Sequence, residues 1–418
     1  MTVLTDVPSP FCGMGTDDLK IHVDGLKLTV KENGCSVNTG AFEQPVTDLK
    51  PRISGAECTL NEAVLKAAKL LKNKQLPVFG GCATDVNGMR ALLSLADQNG
   101  AVVDNMSFNA ARRNILTLQD AGWINTTLAE VKNRCDVLLI VGTDLEGVMP
   151  RFFDRYIWNK DSMFVKETAE RKIIYLGQGP SGKASISPKG KNAQVIKCAD
   201  HQLPDVIAVL KALLKGHSVT VDTVGGIKLS KLQTVIKLLS SAQYGVVTWA
   251  AGALDFSQAD LTVQGLCDVV KLLNESTRCS GLPLLGKNGD QTANQVCGWT
   301  TGYPARVSFA GGFPHYDPYL YDTNQLFQNG EADLLLWVNA FDTEAQPPAC
   351  DFPTIVLGRS GMTFNQEPDV FFPVGTPGID HVGHAYRLDN VVAIRLKKLR
   401  DSGLPSAAEV LNAIQIAL

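Results

Sequence analysis

Nothing in this sequence is long and apolar enough to cross a bilayer. The longest apolar runs, such as Val137–Val141, are strand length, whereas a spanning helix needs roughly 20 apolar residues. The N-terminus, from Met1 to Phe11, lacks the basic head and apolar run of a secretory signal, so export is not expected. No charge of one sign dominates. The 39 basic and 42 acidic residues leave a net charge of −3, which excludes a general pull towards nucleic acid or an anionic membrane. The ten cysteines (12, 35, 58, 82, 135, 198, 267, 279, 297 and 350) never fall within three residues of one another. No CxxC clip for zinc or iron–sulfur is therefore available, and the thiols read as reduced and mostly buried, a cytoplasmic pattern. A GxSxG elbow and an HExxH helix are also missing, as are internal repeats, low-complexity tracts and Pro/Gly/Ser linkers.

What is present is the balance of an ordinary globular protein. The 418 residues are 45% hydrophobic and 19% charged, enough for two or three domains with sizeable cores. The opening fifty residues differ from the rest. Residues 19–23 and 26–30 alternate apolar and polar around Asp24-Gly25, which predicts a β-hairpin with a two-residue type I′ turn. From about residue 55 short continuous apolar runs recur, at 76–80, 101–103, 137–142, 173–177, 246–249, 334–338, 354–358 and 370–374. Amphipathic helical patterns follow many of them, at 86–98 and 203–215 for example. That alternation predicts βαβ units with parallel sheets covered on both faces, divided between two doubly wound domains.

Three segments invite a chemical reading. Gly177-Gln178-Gly179-Pro180-Ser181-Gly182-Lys183 follows a strand and satisfies both GxGxxG and the GxxxxGK core of a phosphate loop, in which glycine lets backbone N–H groups approach phosphate at a helix start. Ala184 stands where a magnesium-binding hydroxyl belongs, and Pro188 and Gly190 deny the loop its helix. The reading is a basic surface loop, with a nucleotide-binding enzyme as the alternative. Asp380-His381-Val382-Gly383-His384 gathers two imidazoles and a carboxylate with no further ligand in evidence, so it reads as a polar or interface loop rather than a metal site. The run Phe313-Pro314-His315-Tyr316-Asp317-Pro318-Tyr319-Leu320-Tyr321 suits either an interface or a packed loop, since aromatic side chains dominate both.

Ser9-Pro10-Phe11-Cys12-Gly13-Met14-Gly15-Thr16-Asp17-Asp18, the hairpin and Asn33-Gly34-Cys35 together resemble the iron–sulfur domain of the pterin-binding B subunit of formylmethanofuran dehydrogenase, in the molybdopterin oxidoreductase class. The resemblance continues through Gly100-Ala101-Val102-Val103-Asp104-Asn105, through residues 134–142 with Pro150-Arg151, and through 329–333. It is strongest over residues 378–398, with Ala385-Tyr386-Arg387-Leu388-Asp389-Asn390-Val391 and Arg395-Leu396-Lys397-Lys398. It implies a small β domain at 1–52, a first αβα domain at 53–105 and 255–395, a second at 106–254, and a C-terminal helical tail at 396–418.

The departures from that family carry the functional expectation. Of four cluster positions, Ser9 and Thr16 replace two cysteines and leave Cys12 and Cys35. Neutral hydroxyls are poor ligands for an iron–sulfur cube; Asp17 and Asp18 are the remaining acidic candidates. After Asp104-Asn105, where the family places a metal-ligating cysteine, the chain reads Met106-Ser107-Phe108 with no cysteine between Cys82 and Cys135. Ser107 is a weak donor for a soft metal. Gly179-Pro180-Ser181 stands where the family's pterin loop carries an Asp-Pro-Arg-like turn.

The resemblance thus implies a chain without a catalytic centre, iron–sulfur cluster or metallopterin. Its place would be a bacterial, cytoplasmic formyltransferase/hydrolase complex. There a formyl group passes from tetrahydromethanopterin to a methanofuran-type carrier and leaves as formate. The partners implied are an amidohydrolase-like hydrolase subunit, a formyltransferase subunit and a small subunit related to the dehydrogenase C subunit. An active tungsten or molybdenum dehydrogenase subunit is the rival expectation. Arg112, Arg113 and Arg151 are candidates for holding the carrier's carboxylates, because guanidinium pairs with them bidentately.

Overall fold

The strands Pro77–Ala83, Leu334–Asn339, Thr354–Arg359 and Val370–Val374 are apolar along nearly their whole length, and such strands are stable only with both faces covered. In the computed structural model, which describes residues 2–285 and 287–418, they form the parallel centre of a nine-stranded sheet with Val102–Val103. Short antiparallel pairs close its edges: Val307–Ser308 with His315–Tyr316, and Arg52–Ile53 with Ala56–Glu57. Side chains alternate between two cores. Phe79, Leu336, Leu357 and Phe372 face the helices Leu60–Leu71, Val86–Asn99 and Ala407–Ala417, while Val78, Leu335, Val356 and Phe371 point to the opposite side. Capping boxes at Thr59/Glu62 and Ser406/Glu409 start the first and last of these helices by satisfying otherwise orphaned N–H groups.

This sheet belongs to a unit made of Met1–Phe108 with Gly286–Leu418; Asn109–Leu285 forms a second unit. There, five strands run parallel in the order Gln194–Ile196, Lys172–Leu176, Val137–Val141, Gly245–Ala250, Cys279–Leu284. The helices Leu203–Leu214, Leu229–Ser240 and Ala259–Leu273 contribute Leu210, Leu232 and Leu266 to its core.

All eight apolar runs form strands of parallel sheets, and the chain is a mixed α/β protein. The finer divisions differ from expectation. The chain leaves the second unit at 285/286 rather than 254/255, because Cys279–Leu284 pairs with Gly245–Ala250 along its whole length. Gly281 and Pro283 make that strand inconspicuous in sequence. Residues 396–418 are no separate tail: Val410, Leu411 and Ile414 lie in the first unit's core. The N-terminal segment has its own antiparallel sheet, Thr2–Val7, Leu19–Asp24 and Lys27–Glu32, yet Phe11 and Phe42 share a core with Phe341, Ile379 and Leu399. Its hairpin turns on Gly25-Leu26, one residue later than expected, and the positive φ falls on Gly25 (58°) alone. That is the pattern of a type II′ rather than a type I′ turn.

Strand order reverses between Pro77–Ala83 and Leu334–Asn339 in the first unit, and between Val137–Val141 and Gly245–Ala250 in the second. Open α/β sheets bind ligands at such points. At the first, the backbone is so crowded that Gly81 (φ 76°) has Val338 O only 2.5 Å from where a Cβ would stand. Gly81→Ala should therefore destabilise the protein by more than about 2 kcal/mol in urea titration. Gly122→Ala, with similar φ (59°) but open space around it, should lose only about 1 kcal/mol. Equal losses would show that backbone strain alone matters at Gly81.

Candidate functional site

Ser9, Cys12 and Thr16 do come together in the first unit. The Ser9 amide donates to Thr16 O (2.7 Å), the Phe11 amide to Ser9 Oγ (3.4 Å), and Cys12 Sγ lies 3.7 Å from Thr16 Oγ1. Cys35 lies in the turn that precedes the short helix Thr39–Glu43: its amide donates to Asn38 Oδ1 (2.9 Å), and its carbonyl accepts from the amides of Asn38 and Thr39. Around Gly15 the packing is tight. Ile394 presses on Gly15 so closely that a Cβ there would stand 2.1 Å from its Cδ1. The cavity among Ser9, Cys12, Gly15 and Ile394 is about 20 Å³, room for one water.

The segment after Val103 is organised by hydrogen bonds. Asp104 accepts from the Thr323 amide (2.9 Å), from its hydroxyl (2.8 Å), and from Arg306 Nε (3.2 Å). Arg306, 1% exposed, also donates to Asp322 and to Pro318 O, and stacks on Phe108 at 4.8 Å. Burial pushes the Asp104 carboxyl above its ordinary range even with Arg306 beside it. The Asn105 side chain anchors this turn to another segment, Nδ2 donating to Asp290 O (3.2 Å) and Oδ1 accepting from Ser107 N (2.8 Å). The fully buried Cys82 thiol meets Asp104 O at 3.6 Å, and burial raises its pKa well above normal. It is a small apolar side chain here, with no thiolate to offer.

At the first unit's switch point the Asn288-Gly289-Asp290 segment fills the crevice: a Cβ at Gly289 would meet Thr84 O at 2.8 Å and Phe341 at 3.1 Å. At the second unit's switch point Leu203 and Leu254 pack onto Gly142, each within 3 Å of where its Cβ would be. The Thr143 hydroxyl bridges the two strands by accepting from the Ala250 amide (2.9 Å).

The glycine-rich loop also lies in the second unit, and no helix follows it before Gln194–Ile196. Its amides already have anionic partners. Ser181 N donates to Asp144 (3.2 Å), and Ala184 N and Ser185 N donate to Glu146 (3.1 and 2.7 Å). Two carboxylates thus take one donor of the loop and two just after it, and they repel an incoming phosphate. Arg113 donates to Ala251 O (2.6 Å) and Asp255 (2.8 Å), and Arg151 grips Asp154 through Nε and Nη2 (3.0 and 2.6 Å). A carboxylate ligand has to displace those acids to reach either guanidinium. Arg112 is half-buried on the same helix as Arg113.

The histidine loop is structural. Asp380 accepts from Arg400 (2.8 Å) and from the Thr376 amide (2.9 Å), and His381 meets the carbonyls of Val382 and Gly375. His384 sits on the hairpin strand Gly383–Tyr386, opposite Arg395. Sequence reasoning missed the buried arginines 306, 359 and 400. No spacing announces them, because their partners are carbonyls and acids distant in the chain.

No protein-family model matches the chain. It is 27% identical over 415 residues to the B subunit of the tungsten-containing formylmethanofuran dehydrogenase 2 of Methanocaldococcus jannaschii, covering 96% of this chain and 94% of that protein. It is 29% identical over 330 residues to the B subunit of the formyltransferase/hydrolase complex Fhc of Methylorubrum extorquens, covering 78% and 85%. A chain from the crystal structure of the Methylorubrum FhcABCD complex with methylofuran superposes with a TM-score of 0.75 at 27% identity, covering 88% of this chain and 98% of that one. The chain is homologous to these B subunits.

Tungsten is in the archaeal relative's name, and the family resemblance implies a four-iron cluster. The donors here fit neither. Among the described residues no three of His, Cys, Asp or Glu converge to hold a metal. Of the two remaining cluster cysteines, the Cys12 thiol faces the Thr16 hydroxyl and Cys35 lies in a turn closed by Asn38. Soft metals and iron–sulfur cubes require several thiolates at one point.

Two measurements test this reading of the site. Arg306→Met should destabilise the protein by about 3 kcal/mol or more in urea titration, because Asp104 is left buried, and Asp322 half-buried, without their cation. Arg306→Lys should recover only part of that, since one ammonium cannot reproduce the guanidinium fork. ATP or NAD at saturating concentration should leave the melting temperature unmoved, whereas a ligand at a hundred times its Kd adds about 2.7 kcal/mol. A rise abolished by Lys183→Ala would restore the nucleotide reading.

Proposed function

We propose that this chain is a non-catalytic, structural B-type component of a formyltransferase/hydrolase complex in one-carbon metabolism. In such a complex the formyl group moves from tetrahydromethanopterin to a methanofuran-type carrier and is hydrolysed to formate. Its partners are then an amidohydrolase-like hydrolase subunit, a formyltransferase subunit and a small subunit related to the dehydrogenase C subunit. The observation that carries the reading is a fold close to that of an FhcABCD chain, combined with a donor set that fits neither cluster nor heavy metal. Formyl transfer and amide hydrolysis move no electrons, so a redox subunit stripped of its ligands still suits the assembly. A cytoplasmic location accords with it. Among the described residues no helix is long and apolar enough to cross a membrane.

The rival reading, a working tungsten or molybdenum subunit, is favoured by one observation: the match to the archaeal dehydrogenase subunit spans 96% of the chain, more than the match to the Fhc subunit. Elemental analysis separates the two. The purified complex should contain tungsten, molybdenum and iron well below one atom per chain. Cys12→Ser and Cys35→Ser should leave formate release unchanged to within about twofold. Stoichiometric metal lost on either substitution would establish the rival.

A further inference from the structure

The second unit's edge strand Gln194–Ile196 begins to pair with Lys172–Leu176 only at Ile174, so the first two residues of the longer strand have no neighbouring strand on that side. The space left there is a cavity of about 240 Å³, at the opposite end of Lys172–Leu176 from the glycine-rich loop. Its sides differ in character. Trp158, Ile173 and Leu238 make one of them apolar. The Trp158 ring is fixed, donating from Nε1 to Ala184 O (2.7 Å) and stacking on Phe153 with ring centres 6.2 Å apart. The polar side carries Arg171, Lys172 and Lys191 against a single carboxylate, Glu170, which Lys189 (2.9 Å) and Lys191 already engage. Ser187 also lines the cavity, and its Oγ accepts from the amides of Lys189 and Lys191, both at 3.2 Å. That leaves the hydroxyl proton to donate elsewhere.

Arg171 decides what the cavity suits. It is 6% exposed, and its printed bonds all go to neutral oxygens: the carbonyls of Tyr156 (2.7 Å), Ile157 (2.8 Å) and Lys132 (2.7 Å), and Ser162 Oγ (3.3 Å). Its Nε is buried without a partner. Among the described residues no carboxylate pairs with it. Asp136, which acts on it at longer range, accepts from the amides of Gln243 and Tyr244. A buried cation without a counterion is costly, and an anion in the adjoining space supplies one. We propose that this cavity binds a small aromatic oxyanion, a single ring bearing a carboxylate or phosphate group. A cavity of about 150 Å³ already accommodates benzene, so about 240 Å³ takes one ring with its acidic group. The ring lies against Trp158, Ile173 and Leu238, where apolar area is buried and aromatic contact is available. The acidic group lies beside Arg171, with Lys191 and Ser187 as donors. The proposal goes beyond the subunit reading and does not rest on it.

Isothermal titration of the 418-residue chain with phenyl phosphate and with benzoate tests it. At least one should bind at a single site with a Kd of about 1 mM or tighter; which of them binds assigns the acidic group. Inorganic phosphate should bind about tenfold or more weakly, because it leaves the apolar side unused. Ala193→Leu fills the cavity and keeps every charge, whereas Lys191→Gln removes a cation from its rim. Each should weaken binding by about tenfold or more at an unchanged melting temperature. Lys231→Gln, at an exposed lysine elsewhere in the same unit, should leave binding as it was. Failure of both aromatic compounds to bind overturns the proposal. So does affinity that survives Ala193→Leu and Lys191→Gln, that falls equally with Lys231→Gln, or that inorganic phosphate matches. Each of these results leaves the subunit reading standing.

Discussion

An open parallel sheet leaves a crevice wherever its strand order reverses, and in each unit of this protein the chain closes that crevice with its own atoms. In the first unit the Asn288-Gly289-Asp290 segment lies against Thr84 and Phe341; in the second, Leu203 and Leu254 lie on Gly142. Interiors are close-packed, so a site that holds no ligand must be filled by protein or collapse. Here it is filled, and the fillings are specific: one is a turn fixed by Asn105, the other a pair of leucines continuous with the core.

The same substitution of protein for ligand recurs among the polar groups. Buried cations are costly unless paired, and the four deeply buried arginines have partners within their own unit; in the second, Arg171 donates to the carbonyls of Tyr156, Ile157 and Lys132. Arg306 has Asp104 and Asp322; Arg400 has Asp380 and the carbonyl of Leu26; Arg359 has the carbonyls of Phe341 and Ala41. Burial and the neighbouring Arg400 push the Arg359 guanidinium down to about 10, still charged at neutral pH. The backbone amides around Gly177–Lys183, which a phosphate would otherwise bind, are held by Asp144 and Glu146. Functional groups that look free in a linear reading are thus committed once the chain has folded.

That commitment marks the limit of what the sequence made legible. The eight apolar runs announced the parallel strands because burial on both faces leaves a compositional trace, and Val86–Asn99 and Leu203–Leu214 appeared within a residue or so of their expected ends. Cys279–Leu284 was missed because Gly281 and Pro283 interrupt its run, and with it went the second crossing between units. The hairpin slipped by one residue because Gly25 rather than Asp24 takes the first turn position. At the site, Ser9, Cys12 and Thr16 were legible as a group. The turn in which Cys35 bonds Asn38 and Thr39, and the packing of Ile394 on Gly15, were invisible. Which apolar side chain occupies a vacated cavity depends on tertiary approach, and no spacing rule encodes it.

At both strand-order reversals the chain packs its own atoms against the sheet ends. Bound cofactors stabilise a native state by mass action, so a homologue that folds without them needs the difference made up internally. The packed fillings and the buried arginine networks are the means available here. Arg306, Arg359 and Arg400 tie distant segments of the first unit together in the same way. A rigid surface binds a partner with little ordering cost.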